Sequence, residues 1–279
     1  MGASKLARSG WLTRQHGAWS MTLVPILVGS ALGGFAWWQL GLTVAWLLAF
    51  QAFDAFGLWV QCVAPRKGKR GCSTTAATGG KNTPNWARGK RFVAPMAVYG
   101  ALAALGALAL VLHLPALLWY ALPIAPLASI AAFEMWHRRP RSFVARASAI
   151  FASGLLTLVA FQLGSAPFDW RRAIVATTII TAYFIGTIPY VKTMIRERGN
   201  PWWLAFSLTY HASFTLVVLA GALTHVTSWW VLAVWAALTV RAWAFPYASK
   251  RLGHPLRPAV FGVSEFVFSA MVVLSLVLT

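Results

Sequence analysis

The sequence predicts an all-α polytopic membrane bundle of nine transmembrane helices, and three observations carry that prediction. Apolar residues make up 59% of the 279 and charged residues only 10%, where a soluble chain carries about 25% charge. The mean hydropathy is +0.65. The lysines and arginines fall in short gaps between long apolar runs, with no separate soluble domain to hold them. That is the pattern of loops on the positive side of a bilayer, and it argues against nucleic acid as the partner of a +19 chain.

A helix rises 1.5 Å per residue and the hydrocarbon core is about 30 Å thick, so about 20 apolar residues make one crossing. The first such stretch, 17–38, follows a basic leader with Lys5, Arg8 and Arg14. No small-residue cleavage site stands before the second run, so it reads as a retained helix and not a signal peptide. Pro25 lies within it, where it frees a carbonyl and bends the helix. Gln39 alone separates this stretch from the second, 40–63. Residues 64–91 are rich in Gly, Ser, Thr and Lys and read as a mobile basic loop without a core. The third and fourth stretches, 92–113 and 115–136, form a hairpin about Leu114 and Pro115. Then come 144–163, 173–191, 202–223, 226–245 and 259–279. All belong to one transmembrane domain, 1–279.

Orientation follows from the cations. The leader, the 64–91 loop, the loop after the fourth stretch (Arg138, Arg139, Arg141, Arg146), that after the sixth (Lys192, Arg196, Arg198) and the end and exit of the eighth (Arg241, Lys250, Arg251, Arg257) hold 22 of the 24. Only Arg171 and Arg172 lie opposite. The positive-inside rule then puts the N-terminus in the cytoplasm and the C-terminus outside. Trp37, Trp38, Trp119, Trp170, Trp229 and Trp230 sit at the outer boundary and Trp11, Trp19, Trp136, Trp202 and Trp203 at the inner one, as an aromatic belt. Cys62 and Cys72 fit neither a disulfide framework nor a zinc site.

Five acidic residues exist: Asp54, Glu134, Asp169, Glu197 and Glu265. Asp54, Glu265 and His211 lie roughly 10–14 Å below the cytoplasmic surface by helical rise, where polar groups are functional candidates by default. Two strings stand at that surface. Arg14-Gln15-His16-Gly17-Ala18-Trp19 opens the first helix, where free N–H groups and the helix dipole favour an anion. Tyr190-Val191-Lys192-Thr193-Met194-Ile195-Arg196-Glu197-Arg198-Gly199-Asn200-Pro201 closes the sixth, with Lys192 and Arg196 on one face, fit for a phosphate. The plainer reading of both is anchoring in lipid headgroups. Glu134, four before Arg138, reads as a surface ion pair, and Asp169 as a loop residue beside two arginines.

These two strings, with Met21, Pro25 and Gly29, resemble the YwiC-like family of bacterial integral membrane proteins over the whole chain. The resemblance implies a multi-pass protein of the bacterial inner membrane. More distantly the chain is similar to the UbiA-type intramembrane prenyltransferases, which have nine helices and a cavity open to the cytoplasm. Their Asp-rich motifs fall where this chain has its basic loop and the Lys192–Asn200 string. Here only Asp54 lies near the first and Glu197 in the second, without an Asp-x-x-x-Asp pattern, so the usual pair of Mg²⁺-binding motifs is lacking.

Three functions compete. In the first, Arg14, His16, Lys192, Arg196, Asn200, Tyr190, His211 and Glu265 line a cytoplasm-facing site for an anionic isoprenoid or phospholipid. Any catalysis there would be prenyltransferase-like, with Asp54 and Glu197 sharing a metal such as Mg²⁺ or His16 moving a proton. The second is a proton-coupled transporter with Asp54, His211 and Glu265 as relay. The third is a non-catalytic scaffold that recruits a protein partner or anionic lipid through the basic loop.

Overall fold

Long apolar runs in hydrocarbon leave the backbone one way to pair its own N–H and C=O groups, the helix. The structure, a computed structural model, describes residues 10–13, 18–64, 86–251 and 258–278, and among them there are helices and no strand. The helices are α1 (Ala18–Gly33), α2 (Trp37–Val63), α3 (Trp86–His113), a 3₁₀ turn (Pro115–Tyr120) that runs into α4 (Ala121–Trp136), α5 (Phe143–Gly154), α6 (Leu156–Gln162), α7 (Trp170–Ile195), α8 (Pro201–Leu223), α9 (Trp229–Arg251) and α10 (Pro258–Val277). Eight spans among the described residues are long and apolar enough to cross a bilayer, with α5 and α6 counted together as one of 20 residues. Trp19–Gly33 is a further apolar helix whose described part falls short of that length. The chain is a polytopic helical membrane protein.

Several boundaries differ from the sequence expectation, each for a local reason. Gln39 is not a connector. It sits in the first turn of α2, where its Oε1 accepts from the Ala36 N–H at 3.0 Å, the reciprocal half of a capping box. Its Nε2 donates to the Gly34 carbonyl at 2.8 Å and the Ala160 carbonyl at 3.0 Å. The turn before it is made by Gly34 at φ +74°, a conformation costly for a residue with a Cβ. The fifth stretch breaks at Leu155 in one tightened turn, with the Leu158 N–H on the Leu155 carbonyl at 3.1 Å. α9 runs to Arg251, which moves Arg241 from a helix end to the middle of a span.

The chain divides into two compact units, Met1–His16 with Gly41–Ser148, and Gly17–Leu40 with Ala149–Thr279. In the first, the guanidinium of Arg138 (φ 59°) donates to the Ala64 carbonyl at 2.6 Å and the Gln61 carbonyl at 2.9 Å. It thereby caps orphan carbonyls at the end of α2. Glu134 therefore pairs with Arg139, at 3.0 Å, and not with Arg138. Trp59 packs against Trp86 and Trp136, and the Tyr99 hydroxyl donates to the Trp11 carbonyl at 2.8 Å.

In the second unit α1 packs on α6, α7 and α10, and α7 also meets α8, α9 and α10. α7 is the enclosed centre of this unit, with 72% of its most apolar window buried. Asp169 caps its start, accepting from the Arg172 N–H at 3.2 Å. Asn200 does the same for α8, accepting from the Trp202 N–H at 3.1 Å with Pro201 at the first helical position.

Candidate functional site

Among the described residues of the second unit, enclosed polar side chains gather where α7, α8, α9 and α10 meet. Pro189 and Pro246 each withdraw a backbone N–H from α7 and α9 close to this point. Tyr183, Gly186 and Tyr190 fall at i, i+3 and i+7 of α7 and so share one face. Arg241, halfway along α9, has a side chain only 2% exposed, and its Nη1 donates to Glu265 Oε1 on α10 at 2.7 Å. Its guanidinium carbon stacks on the Tyr190 ring at 4.1 Å and the Phe268 ring at 4.6 Å, which holds the cation between two π faces. Among the described residues, its Nε and Nη2 have no hydrogen-bond acceptor.

The other carboxylate oxygen, Oε2 of Glu265, accepts from the Tyr183 hydroxyl at 3.1 Å, and that hydroxyl lies 2.9 Å from Ser269 Oγ. Glu265 keeps 24% of its side chain accessible while its partner arginine does not. The pair thus has one enclosed and one approachable member. The Tyr190 hydroxyl faces Ser264 without closing a well-formed hydrogen bond, and Ser264 itself donates to the Phe261 carbonyl at 3.0 Å.

His211, 2% exposed, stands on α8. Its Nδ1 lies 2.7 Å from the Ser207 carbonyl. A carbonyl can only accept, so Nδ1 carries a proton. Nε2 points at Gly186, where a Cβ would come within 3.1 Å of it and within 2.9 Å of Tyr210 Cε1. The missing side chain at Gly186 makes room for the two aromatic rings. Below His211, Thr215 and Thr239 bond across α8 and α9 at 2.9 Å, the interhelical polar contact expected inside a membrane.

The expected site residues are dispersed relative to this centre. Tyr190 and Glu265 converge on Arg241, and His211 lies on the facing helix. Lys192 is at the end of α7, its ammonium 3.9 Å over the Trp203 ring, and Arg196 is exposed beyond it. Glu197 Oε2 accepts from Asn200 Nδ2 at 3.0 Å, so both serve the joint between α7 and α8. Asp54 belongs to the other unit. Arg14 and His16 lie outside the described residues. Among the described residues no three His, Cys, Asp or Glu side chains come together as a metal-binding group, and Glu197 is already engaged by an amide.

Sequence reasoning missed Arg241, Tyr183 and Ser269. The available signal for the first was a single arginine ten residues before the basic end of an apolar run. For the second it was a tyrosine seven residues before Tyr190, on the same helical face.

A family model described as YwiC-like protein matches residues 12–161, more than half of the chain. The chain belongs to the YwiC-like family. This YwiC-like protein is 27% identical over 238 residues to the uncharacterized protein YwiC of Bacillus subtilis (strain 168), a match that covers 84% of this chain and 85% of the relative. It is 23% identical over 211 residues to an uncharacterized protein of Haemophilus influenzae, covering 75% and 78%. No solved structure matches it. The family model ends before α7, so the Arg241 centre of this YwiC-like chain lies outside the matched segment.

Proposed function

We propose that this YwiC-like protein is a proton-coupled transporter in which Glu265 carries the proton. The observation that supports the reading is the Arg241–Glu265 ion pair at mid-span. Ionisable residues held inside a membrane bundle are costly and mark proton and substrate pathways. Protonation of Glu265 Oε2 would cancel the charge that Arg241 faces and free the cation for a negatively charged group of a solute. Tyr183 and Ser269 give that proton a hydrogen-bonded neighbour. In this reading the protein lies in the inner membrane of a bacterium with its N-terminus in the cytoplasm and its C-terminus outside, as the cation count predicts.

The test uses the full chain in pyranine-loaded liposomes under an inside-negative potassium diffusion potential, with a mixed panel of small anionic and neutral metabolites outside. The lumen should acidify faster than in protein-free vesicles, and Glu265→Gln should fall to the protein-free rate. Equal rates for wild type and Glu265→Gln overturn the reading.

A second reading is favoured by the end of α7, where Lys192 is braced on Trp203 and Arg196 is exposed. There the protein would bind an anionic isoprenoid or phospholipid phosphate in a UbiA-like arrangement. Loss of lipid-phosphate binding in a Lys192→Ala, Arg196→Ala double variant supports it, and unchanged binding removes it. The scaffold reading rests on a loop of which residues 65–85 lie outside those described.

A further inference from the structure

At the opposite end of α7 from Lys192, the second unit contains a cavity of about 500 Å³. It is open to the surroundings where α7 and α9 begin and α8 ends. Its mouth carries Arg171, Arg172, His225 and the tryptophans Trp229 and Trp230, while its inner wall is apolar, with Val175, Ile179 and Leu276 among its residues. The volume falls in the range of small-molecule sites.

Two independent features give this cavity a charge and a depth. Arg171 and Arg172 are the two cations that depart from the positive-inside pattern of the sequence, at a face where arginines are otherwise disfavoured. Both are exposed. Arg171 Nη2 is anchored to the His225 carbonyl at 3.2 Å, and His225 holds a left-handed backbone at φ 57° to present it. The opposing carboxylate, Asp169, is turned to the Arg172 backbone N–H, which leaves two cations against one anion at the mouth. Trp229 and Trp230, both exposed, mark the headgroup level of a bilayer.

We infer that this cavity is a binding site for an anionic phospholipid of the leaflet at that face, its phosphate on Arg171 and Arg172 and its hydrocarbon along Val175, Ile179 and Leu276. Guanidinium groups suit phosphate because their forked donors match its oxygens. The apolar wall extends inward from the charged mouth, which is the layout of an amphiphile and not of a free anion. The site is separate from the Arg241 centre and from the Lys192 end of α7, so it stands or falls independently of the proposed transport.

The full chain, delipidated in a neutral detergent, is titrated with phosphatidylglycerol or with phosphatidylcholine of the same acyl chains and read by native mass spectrometry. Phosphatidylglycerol should be retained about thirtyfold more tightly, the effect expected of two cations at a membrane surface. An Arg171→Gln, Arg172→Gln variant should bring the two lipids level. A Val175→Trp variant keeps both arginines but fills the cavity, and should weaken phosphatidylglycerol while leaving the pair of cations in place. Either variant alone carries the test if the other fails to give a monodisperse helical protein. Equal retention of the two lipids by wild type, no change in both variants, or full displacement of phosphatidylglycerol by millimolar inorganic phosphate would each overturn the assignment.

Discussion

Arg241 on α9 and Glu265 on α10 meet at 2.7 Å with the arginine side chain 2% exposed, so an ion pair with an enclosed cation lies within a span that the apolar content of its helix would otherwise leave featureless. Breaking such a pair is worse than removing it, because the survivor is an uncompensated charge. Arg241→Met and Glu265→Leu, singly, should each lower stability by about 3 kcal/mol, and the double substitution should recover most of that. Thermal unfolding of the purified variants in detergent measures it. Recovered stability without recovered proton movement would separate a working pair from helix glue.

Gly186 is the point at which α7 yields space to α8. Gly186→Ala should destabilise by about 1–3 kcal/mol, as overpacking does, because the new Cβ would press on Tyr210 and His211 Nε2. The same melt detects it, and a neutral result would mean that α8 can shift without cost.

Tyr183→Phe deletes one hydroxyl that touches Glu265 and Ser269. The expected stability loss is about 1 kcal/mol, smaller than for either member of the ion pair, while pyranine acidification should slow markedly. Unchanged acidification would take Tyr183 out of the proton route.

Asn200→Ala removes the α8 cap and the amide that holds Glu197. It should cost about 1 kcal/mol, and Asn200→Asp, which keeps the cap acceptor, should cost less. Lipid-phosphate binding should be the same in both variants. A selective loss of that binding in Asn200→Ala would support a ligand role for this residue.

The helices were legible because bilayer thickness converts directly into a run length of apolar residues, and that constraint is almost independent of tertiary packing. Glu265 and His211 stood out for the same reason, as polar residues within apolar runs. Arg241 was not, since a lone arginine ahead of Lys250 and Arg251 reads as the start of a basic loop until the extent of α9 is known. The Asn200–Pro201 pair carried a helix-start signature in plain view. Gln39 misled, because a polar residue between two apolar runs looks like a loop and here closes the first turn of a helix. What no sequence pattern held was which helices face one another, and the ion pair depends on that.

The hydrogen bond from Gln39 to the Ala160 carbonyl spans 121 positions of the chain, and α1 rests on α6 through Gly29 and Gly33 with little space between backbones. At about 5–20 residues per second of synthesis, the ribosome adds that much chain in on the order of ten seconds. During that interval the surface of α6 on which α1 docks is not yet made. Biogenesis of this unit therefore includes a waiting period, and factors that shelter a newborn helix in the membrane should act on this segment before α6 emerges.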